Sequence, residues 1–447
     1  MRLTESKLER ELWLTYYASD SPGIGGRIRE RYEDFVVIEI SEEGLLASEV
    51  KSVEAEGNGE YIWAVIEKRG VDSITAARII ARKLGLHPRY VSIAGLKDTR
   101  AVAYQFICIK GAKLEDVLEI SSPSVRVIYA LRRPFSLRPG MLYGNQFVIT
   151  IRKSRFRSEE LQERVKEITC EIKQFGGCPN YFGHQRFGTI RPNTHRVGYF
   201  LLRGMYEEAF EEVVAKIYDT ENGEAVRARK FFAETRDAEE ALKIFPYTLH
   251  HERTLLRFIS KHPGNYKEAF RALPVSIRRL YIGAYQAYLF NKSLSRRLAR
   301  GLRIDRAYVG DLVALYAGPE LRRKPVKVLL VTEDNIDEVN RLMKRGYYEL
   351  VLNVFGYRTR LAKGVQGEIE QEILEEEGLT LGMFRVKHMP EVGSKGDIRR
   401  AAMMPEKLSF RVIEDRVYMS FVLKKGMYAT TLLREYMKPK DIIQAGF

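Results

Sequence analysis

The sequence predicts an α+β protein in which a discontinuous mixed α/β domain is interrupted by a large, mainly helical α/β insertion domain. Three observations predict this. Helix and strand patterns alternate through residues 1–204, helical periodicity dominates from 205, and 396–447 return to a mixed pattern. The expected units are a first domain segment at 1–204, an insert at 205–395 and a returning segment at 396–447. A chain of 447 residues is long for one core, and domains of about 150 residues are the prior expectation.

Asp72 and Ser73 open a helix that runs through Leu84, with Ile74, Ala77, Ile80 and Leu84 on one face, and Gly85 and Pro88 stop it. Tyr90–Ala94 and Ala101–Ile109 read as strands rich in β-forming residues, with Gly95–Arg100 as their loop. Gly144–Arg152 is a further strand, in which Phe147, Ile149 and Ile151 alternate. Ser158 is expected to cap a helix with Glu159 and Glu160 in its first turn and Leu161, Val165, Ile168 and Ile172 as its buried stripe. Gly176, Gly177 and Pro179 end it. In the insert, helices are expected at 205–218, 223–244 and Val275–Leu298, strands at 307–316, 326–332 and 347–354, and an acidic helix near 367–377. Leu408–Ile413 and Val417–Leu423 flank Glu414 and Asp415 as a hairpin, and a last helix spans Tyr428–Met437.

Composition excludes several classes. Hydrophobic residues make up 45%, enough for a sizeable core. No run of 18 apolar residues exists, and Met1–Arg10 lacks the apolar stretch of a signal peptide. Three cysteines (Cys108, Cys170 and Cys178) without a CxxC pair argue against a disulfide scaffold or zinc site and fit a reducing cytoplasmic location. Phosphate loops, dinucleotide fingerprints and HExxH are absent, so metal, ATP and dinucleotide enzymes have little support. Thirty per cent charged residues against 19 Asn plus Gln suit a heat-adapted organism.

The formal charge is +15, and it is unevenly spread. Residues 1–119 carry 17 basic and 20 acidic side chains, net −3, whereas 120–206 carry 15 basic and 5 acidic, net +10. The five acids all lie on the predicted helix after Ser158, and 120–158 and 172–206 hold none. A polyanion is the natural partner of such a region, and nucleic acid is the commonest. A solvated basic face is the competing reading.

Two stretches could carry chemistry. Asp98 sits between Lys97 and Arg100 in a strand-to-strand loop, which presents a side chain at an open edge on a rigid base. Flanking cations favour the ionised carboxylate that a nucleophile or base requires. On local sequence alone, an ordinary surface turn is the commoner explanation. The second stretch, Asn180–Gly188, packs glycines, aromatics, amides and Arg186 together, then runs into Arg191, Arg196 and Arg203 without an acid. Aromatics stack on bases while cations hold phosphates, which suits unpaired RNA. Large aromatics are usually buried, so two of Tyr181, Phe182 and Phe187 are expected to be core anchors.

These residues carry a resemblance. Gly95-Leu96-Lys97-Asp98 with Ala101 and Gln105 is similar to the GxKDxxAxxxQ signature of the TruD family of tRNA pseudouridine synthases. Asn180–Gly188 resembles that family's NYFGxQRFG signature. Arg29–Glu39 resembles its KxxPEDFxVxE segment, Gly144–Arg152 its GNxFxIxxR strand, Gln286–Asn291 a helix of its inserted domain, and Gly426–Glu435 its GxYATxxLRE element. The matches are in order from Arg29 to Glu435. Arg29 stands where the family usually has Lys, Tyr32 where it has Pro, and Ala103 where it has Thr.

The resemblance implies a pseudouridine-synthase-like catalytic domain with an antiparallel sheet, and an isomerase of tRNA processing. It implies that Asp98 is catalytic and that uridine 13 of the D-arm is the target. Arg29, Lys97, Asn180 and Phe182 would support catalysis, Arg29 by pairing with Asp98, Asn180 by hydrogen bonds to the catalytic loop and Phe182 by stacking on a flipped base. Phe35, Arg186, Arg191, Arg196 and Arg203 are the expected RNA contacts. No metal or nucleotide cofactor is expected. The expected partner is tRNA, not a membrane, and the expected state is a monomer. A non-catalytic tRNA-binding or RNA-folding protein on the same scaffold is the alternative. A base methyltransferase is disfavoured by the missing Gly-rich loop.

Overall fold

Strand Gly144–Ser154 is the hub of the first unit, pairing antiparallel with Phe35–Ile40 on one side and Arg416–Lys424 on the other. The tail thereby closes the first unit's sheet. The computed structural model describes residues 1–49, 59–138, 140–221, 223–316 and 325–447. The sheet order is Glu406–Ile413, Arg416–Lys424, Gly144–Ser154, Phe35–Ile40, Val102–Lys110, Tyr61–Arg69, Val125–Arg133. Gly25–Arg27 and Val91–Ile93 add short edges to Gly144–Ser154 and Val102–Lys110. Among the described strands all pairings are antiparallel except Phe35–Ile40 with Val102–Lys110, where Val36 lies opposite Val102. This one parallel pair brings the segments that enter both strands, carrying Arg29 and Asp98, to the same end of the sheet.

Period-two alternation sets the faces. Val37, Phe147, Ile149, Ile151, Met419 and Phe421 pack under helices Ser158–Phe175 and Ala429–Met437. Ile62, Ala64, Ile66, Ile107 and Ile109 pack under helix Ser73–Lys83, whose cap Asp72 accepts from the N–H groups of Ile74 and Thr75. The helix expected from Ser158 forms, but without a side-chain cap. Arg157 occupies the cap position, and the Ser158 N–H donates to Glu414 O at 2.8 Å.

The insert is built around helix Val275–Ala299, most of which is buried. A four-stranded antiparallel sheet packs beside it in the order Lys327–Leu330, Leu312–Leu315, Tyr348–Val354, Asp397–Arg400. The helix expected over 223–244 is two helices, Gly223–Thr235 and Ala238–Ile244, because the Asp237 carboxylate accepts from the N–H groups of Glu239 and Glu240 and starts the second. Helix Thr194–Arg203 contributes Val197, Leu201 and Leu202 to the insert's core, and Asp397–Arg400 completes its sheet. The packing of this unit thus extends past 205 and 395 at both ends. Among the described residues no helix is long and apolar enough to cross a membrane.

Candidate active site

The Gly95–Arg100 loop is fixed by buried polar groups. Gln105 Nε2 donates to Gly95 O at 2.5 Å, and Gln105 Oε1 accepts from Ser73 Oγ, which itself accepts from the Lys97 N–H. Lys68 Nζ donates to Asp98 O and Val71 O, both at 2.7 Å. Burial lowers the Lys68 ammonium to about 8, against the pull of Asp98 and Asp72. These contacts hold the backbone of the loop and leave the Asp98 side chain to face outward.

Arg29 Nη2 meets Asp98 Oδ2 at 2.7 Å, with the Arg29 side chain 4% exposed and that of Asp98 38% exposed. Arg29 also donates to Gly446 O at 3.2 Å and lies over the Phe35 ring at 4.1 Å. Burial lowers its guanidinium and Asp98 opposes that shift. Its φ of 59° is left-handed, uncommon outside glycine, and such strain clusters at functional sites. Phe35 is buried and meets Phe147 in a T-shaped ring contact. Lys97 turns away from Asp98 and pairs with buried Glu39, whose other oxygen accepts from the Phe106 N–H. Burial pushes the Glu39 carboxyl up, opposed by Lys97.

Asp98, Arg29, Phe35 and Lys97 line a cleft of about 410 Å³ with Gln185 and Tyr428. Small-molecule sites occupy ~300–1,000 Å³. Asn180, Phe182 and Arg186 line a second cleft of about 870 Å³. The segment Lys425–Tyr428 lines both, so the clefts are neighbours across one loop.

The Asn180–Gly188 segment is held by the insert. Phe182 donates its N–H to Asn291 Oδ1 and accepts from Asn291 Nδ2 through its carbonyl. Asn180, expected to hydrogen-bond the loop of Asp98, instead donates through Nδ2 to Arg400 O, because strand Asp397–Arg400 of the insert's sheet runs beside it. Arg399 donates to Asn180 O, Asn180 Oδ1 and Tyr181 O at 2.9, 2.9 and 3.2 Å. Its guanidinium sits 4.1 Å over the Phe182 ring and 5.3 Å from that of Tyr428. Tyr181 and Phe187 are fully buried and Phe182 is half-buried, matching the expectation that two of the three are core anchors.

The remaining arginines are occupied elsewhere. Arg191 donates to Val213 O, Glu212 O and Lys216 O and pairs with Glu221 and Glu252, so it closes the end of helix Tyr206–Val214. Arg203 donates to Glu377 O and covers Tyr199. Arg196 pairs with Glu212 at 3.1 Å and is half exposed. None of the three lines either cleft. The basic segment 120–206 is also partly neutralised by acids from the first segment: Arg126 by Glu67, Arg152 by Asp34 and Lys153 by Glu30.

Sequence reasoning missed Lys68 and Arg399, and it met Tyr428 only within the Gly426–Glu435 motif. Lys68 had a signal: it follows Ile62, Ala64 and Ile66 on the buried face of an alternating strand. Arg399 had none nearby, because its partners are more than two hundred residues away in sequence. Among the described residues no cluster of His, Cys, Asp or Glu could hold a metal ion.

Comparison with known proteins agrees with the motifs. The profile of the family described as tRNA pseudouridine synthase D (TruD) matches residues 11–436. A protein of Methanococcoides burtonii named "Probable tRNA pseudouridine synthase D" is 37% identical, covering 97% of this chain and 98% of the relative. One of Thermococcus sibiricus with the same name is 38% identical, over 94% and 97%. A crystal structure described as tRNA pseudouridine synthase D (TruD) from Methanosarcina mazei superposes with a TM-score of 0.80 at 33% identity, covering 99% of this chain and all of that one. The chain therefore belongs to the TruD family of tRNA pseudouridine synthases.

Proposed function

We propose that the protein isomerises a uridine of tRNA to pseudouridine with Asp98 as the catalytic carboxylate, without metal or nucleotide cofactor. The observation that carries this reading is the Asp98 carboxylate itself, which opens into a cleft while a buried arginine holds one of its oxygens. In the reaction the C1′–N1 bond of the uridine breaks, the base turns, and a C1′–C5 bond forms. The C5 proton is lost and N1 ends protonated, so substrate and product have the same atoms. Positive charge develops on the ribose as the first bond breaks, and a nearby anion stabilises or captures it. Arg29 keeps the anion in place and blocks its retreat from the cleft.

The target base must leave its stack to reach Asp98. Phe182 is the proposed stacking surface for it, backed by Arg399, and the role proposed for Asn180 is to hold the segment that carries Phe182 through its hydrogen bonds with Arg399 and Arg400. The motif resemblance supports uridine 13 of the D-arm as the target.

The test is to incubate the protein with an unmodified tRNA transcript and map pseudouridine by chemical labelling. Pseudouridine at one D-arm uridine is the expected result. Tight, salt-sensitive tRNA binding without any product would instead support a non-catalytic RNA-binding protein.

A further inference from the structure

We propose that Arg186 and Arg399 together form a seat for one phosphodiester of the RNA backbone, in the cleft that adjoins the Asp98 cleft. The proposal deepens the functional reading above and rests on it for the identity of the RNA.

Both side chains are half-buried, and their guanidinium groups differ from those of the fully buried arginines. Arg29, Arg229, Arg297 and Arg434 each face a carboxylate: Asp98, Glu221, Asp311 and Glu9. Arg186 and Arg399 have no ion-pair partner among the described residues, and both line the same 870 Å³ cleft. Arg186 Nε is buried and has no hydrogen-bond partner. Arg399 satisfies its Nε and Nη2 with uncharged carbonyl oxygens only. Its Nη1 lies 3.8 Å from where a Cβ on Gly426 would stand, and Gly426 lines both clefts. The remaining donor therefore lies at the junction of the two.

A cation drawn partly out of water without a counter-charge is costly. Burial brings the Arg399 guanidinium down to about 10, and the neighbouring Arg186 and Arg400 push the same way while Tyr428 opposes them. Arg186 is lowered by burial as well. Arg400 is already paired with Glu349. The carboxylate lining this cleft among the described residues is Asp397, an exposed side chain whose Oδ1 accepts from the Ile398 N–H. The missing counter-charge must therefore be able to enter from solvent, carry a negative charge and accept several N–H donors. A phosphodiester does all three.

Continuity with the Asp98 cleft decides the source. A strand whose uridine enters beside Asp98 passes the shared Lys425–Tyr428 segment, and its neighbouring phosphate then reaches Arg399 and Arg186. Arg399 also grips Asn180 and covers Phe182. Filling the seat would thus fix the ring proposed to stack on the base.

Gly283, in the long insert helix, supplies a clean test. A Cβ there would collide with Arg186 Nη2, the far end of a flexible side chain. Gly283→Ala should displace Arg186 while alanine favours the helix. The experiment measures affinity for tRNA carrying a single methylphosphonate, a neutral linkage, at each position around the mapped uridine. Wild type should lose about tenfold or more at one linkage adjacent to that uridine. Arg186→Gln and Gly283→Ala should bind the unmodified backbone more weakly and lose the added sensitivity at that linkage. A linkage effect of the same size in wild type and in both variants would overturn the proposal. The functional reading fails separately, if wild type makes no pseudouridine on the all-phosphate RNA.

Discussion

Arg29 and Asp98 form an ion pair of unequal halves: the guanidinium is buried and the carboxylate, 2.7 Å away, is open to a cleft. Residues 29 and 98 meet because the only parallel pairing among the described strands sets Val36 opposite Val102. The pair is therefore a product of strand order, and its arginine is anchored independently by Phe35 and Gly446 O.

Arg29→Met removes the charge that holds Asp98 and should lower kcat on the order of 100-fold, the scale of a misplaced catalytic group. Arg29→Lys keeps the charge on a shorter-reaching head group and should retain much more activity. Single-turnover assays on unmodified tRNA, with affinity measured in parallel, check both. Equal kcat in wild type and Arg29→Met would show that the pair does not matter to turnover.

Gln105 acts on the same loop from beneath. Gln105→Leu leaves Gly95 O without its donor and Ser73 Oγ without its acceptor. A buried group left unpaired costs ~1–3 kcal/mol, and with Ser73 fully buried and Gly95 half-buried, urea denaturation should register a loss of at least about 2 kcal/mol. Turnover should fall as well, because the Asp98 loop loses its base.

The N-terminal segment is tied to the last helix by Glu9, which lies between Arg434 and His184. Burial alone raises the Glu9 carboxyl, but Arg434 and His184 outweigh it and bring it down to about 2. The folded state thus binds this proton more weakly than the unfolded chain does. The pair's stabilisation is full above about pH 4.3, the ordinary range of a glutamate, and is lost as pH falls toward 2. Glu9→Gln removes the nearer of two carboxylates beside the buried Arg434, Glu435 standing 4.0 Å away, and should cost ~3 kcal/mol at pH 7. Melting curves from pH 6 to pH 2 should show that the gap between variant and wild type narrows on acidification. A constant gap would rule out this linkage.

Much of this arrangement was legible in local sequence. The Asp98 loop reads from the strand patterns on either side, and the hairpin around Glu414 and Asp415 reads from alternation. The arginines were not legible individually. Arg186, Arg191 and Arg203 share one acid-free stretch, yet Arg191 is neutralised by Glu221 and Glu252 from later helices. Arg203 is taken by a carbonyl at Glu377. Arg186 has no ion-pair partner among the described residues, and it lies against the long helix where Gly283 leaves it room. Arg399 stands in a four-residue strand with no local mark, and pairing with Tyr348–Val354 carries it to Asn180 and Phe182. Net charge per segment locates a basic region, and the fold then decides which of its cations remain available.

In the proposed mechanism Asp98 performs the chemistry while other residues hold the RNA. Asp98→Asn, compared with wild type on unmodified tRNA, tests it most directly. The variant keeps the shape of the side chain and removes its negative charge. Affinity should stay within about a few-fold of wild type, and pseudouridine, mapped by chemical labelling, should be absent. Pseudouridine formed by Asp98→Asn at a rate near that of wild type would contradict the account.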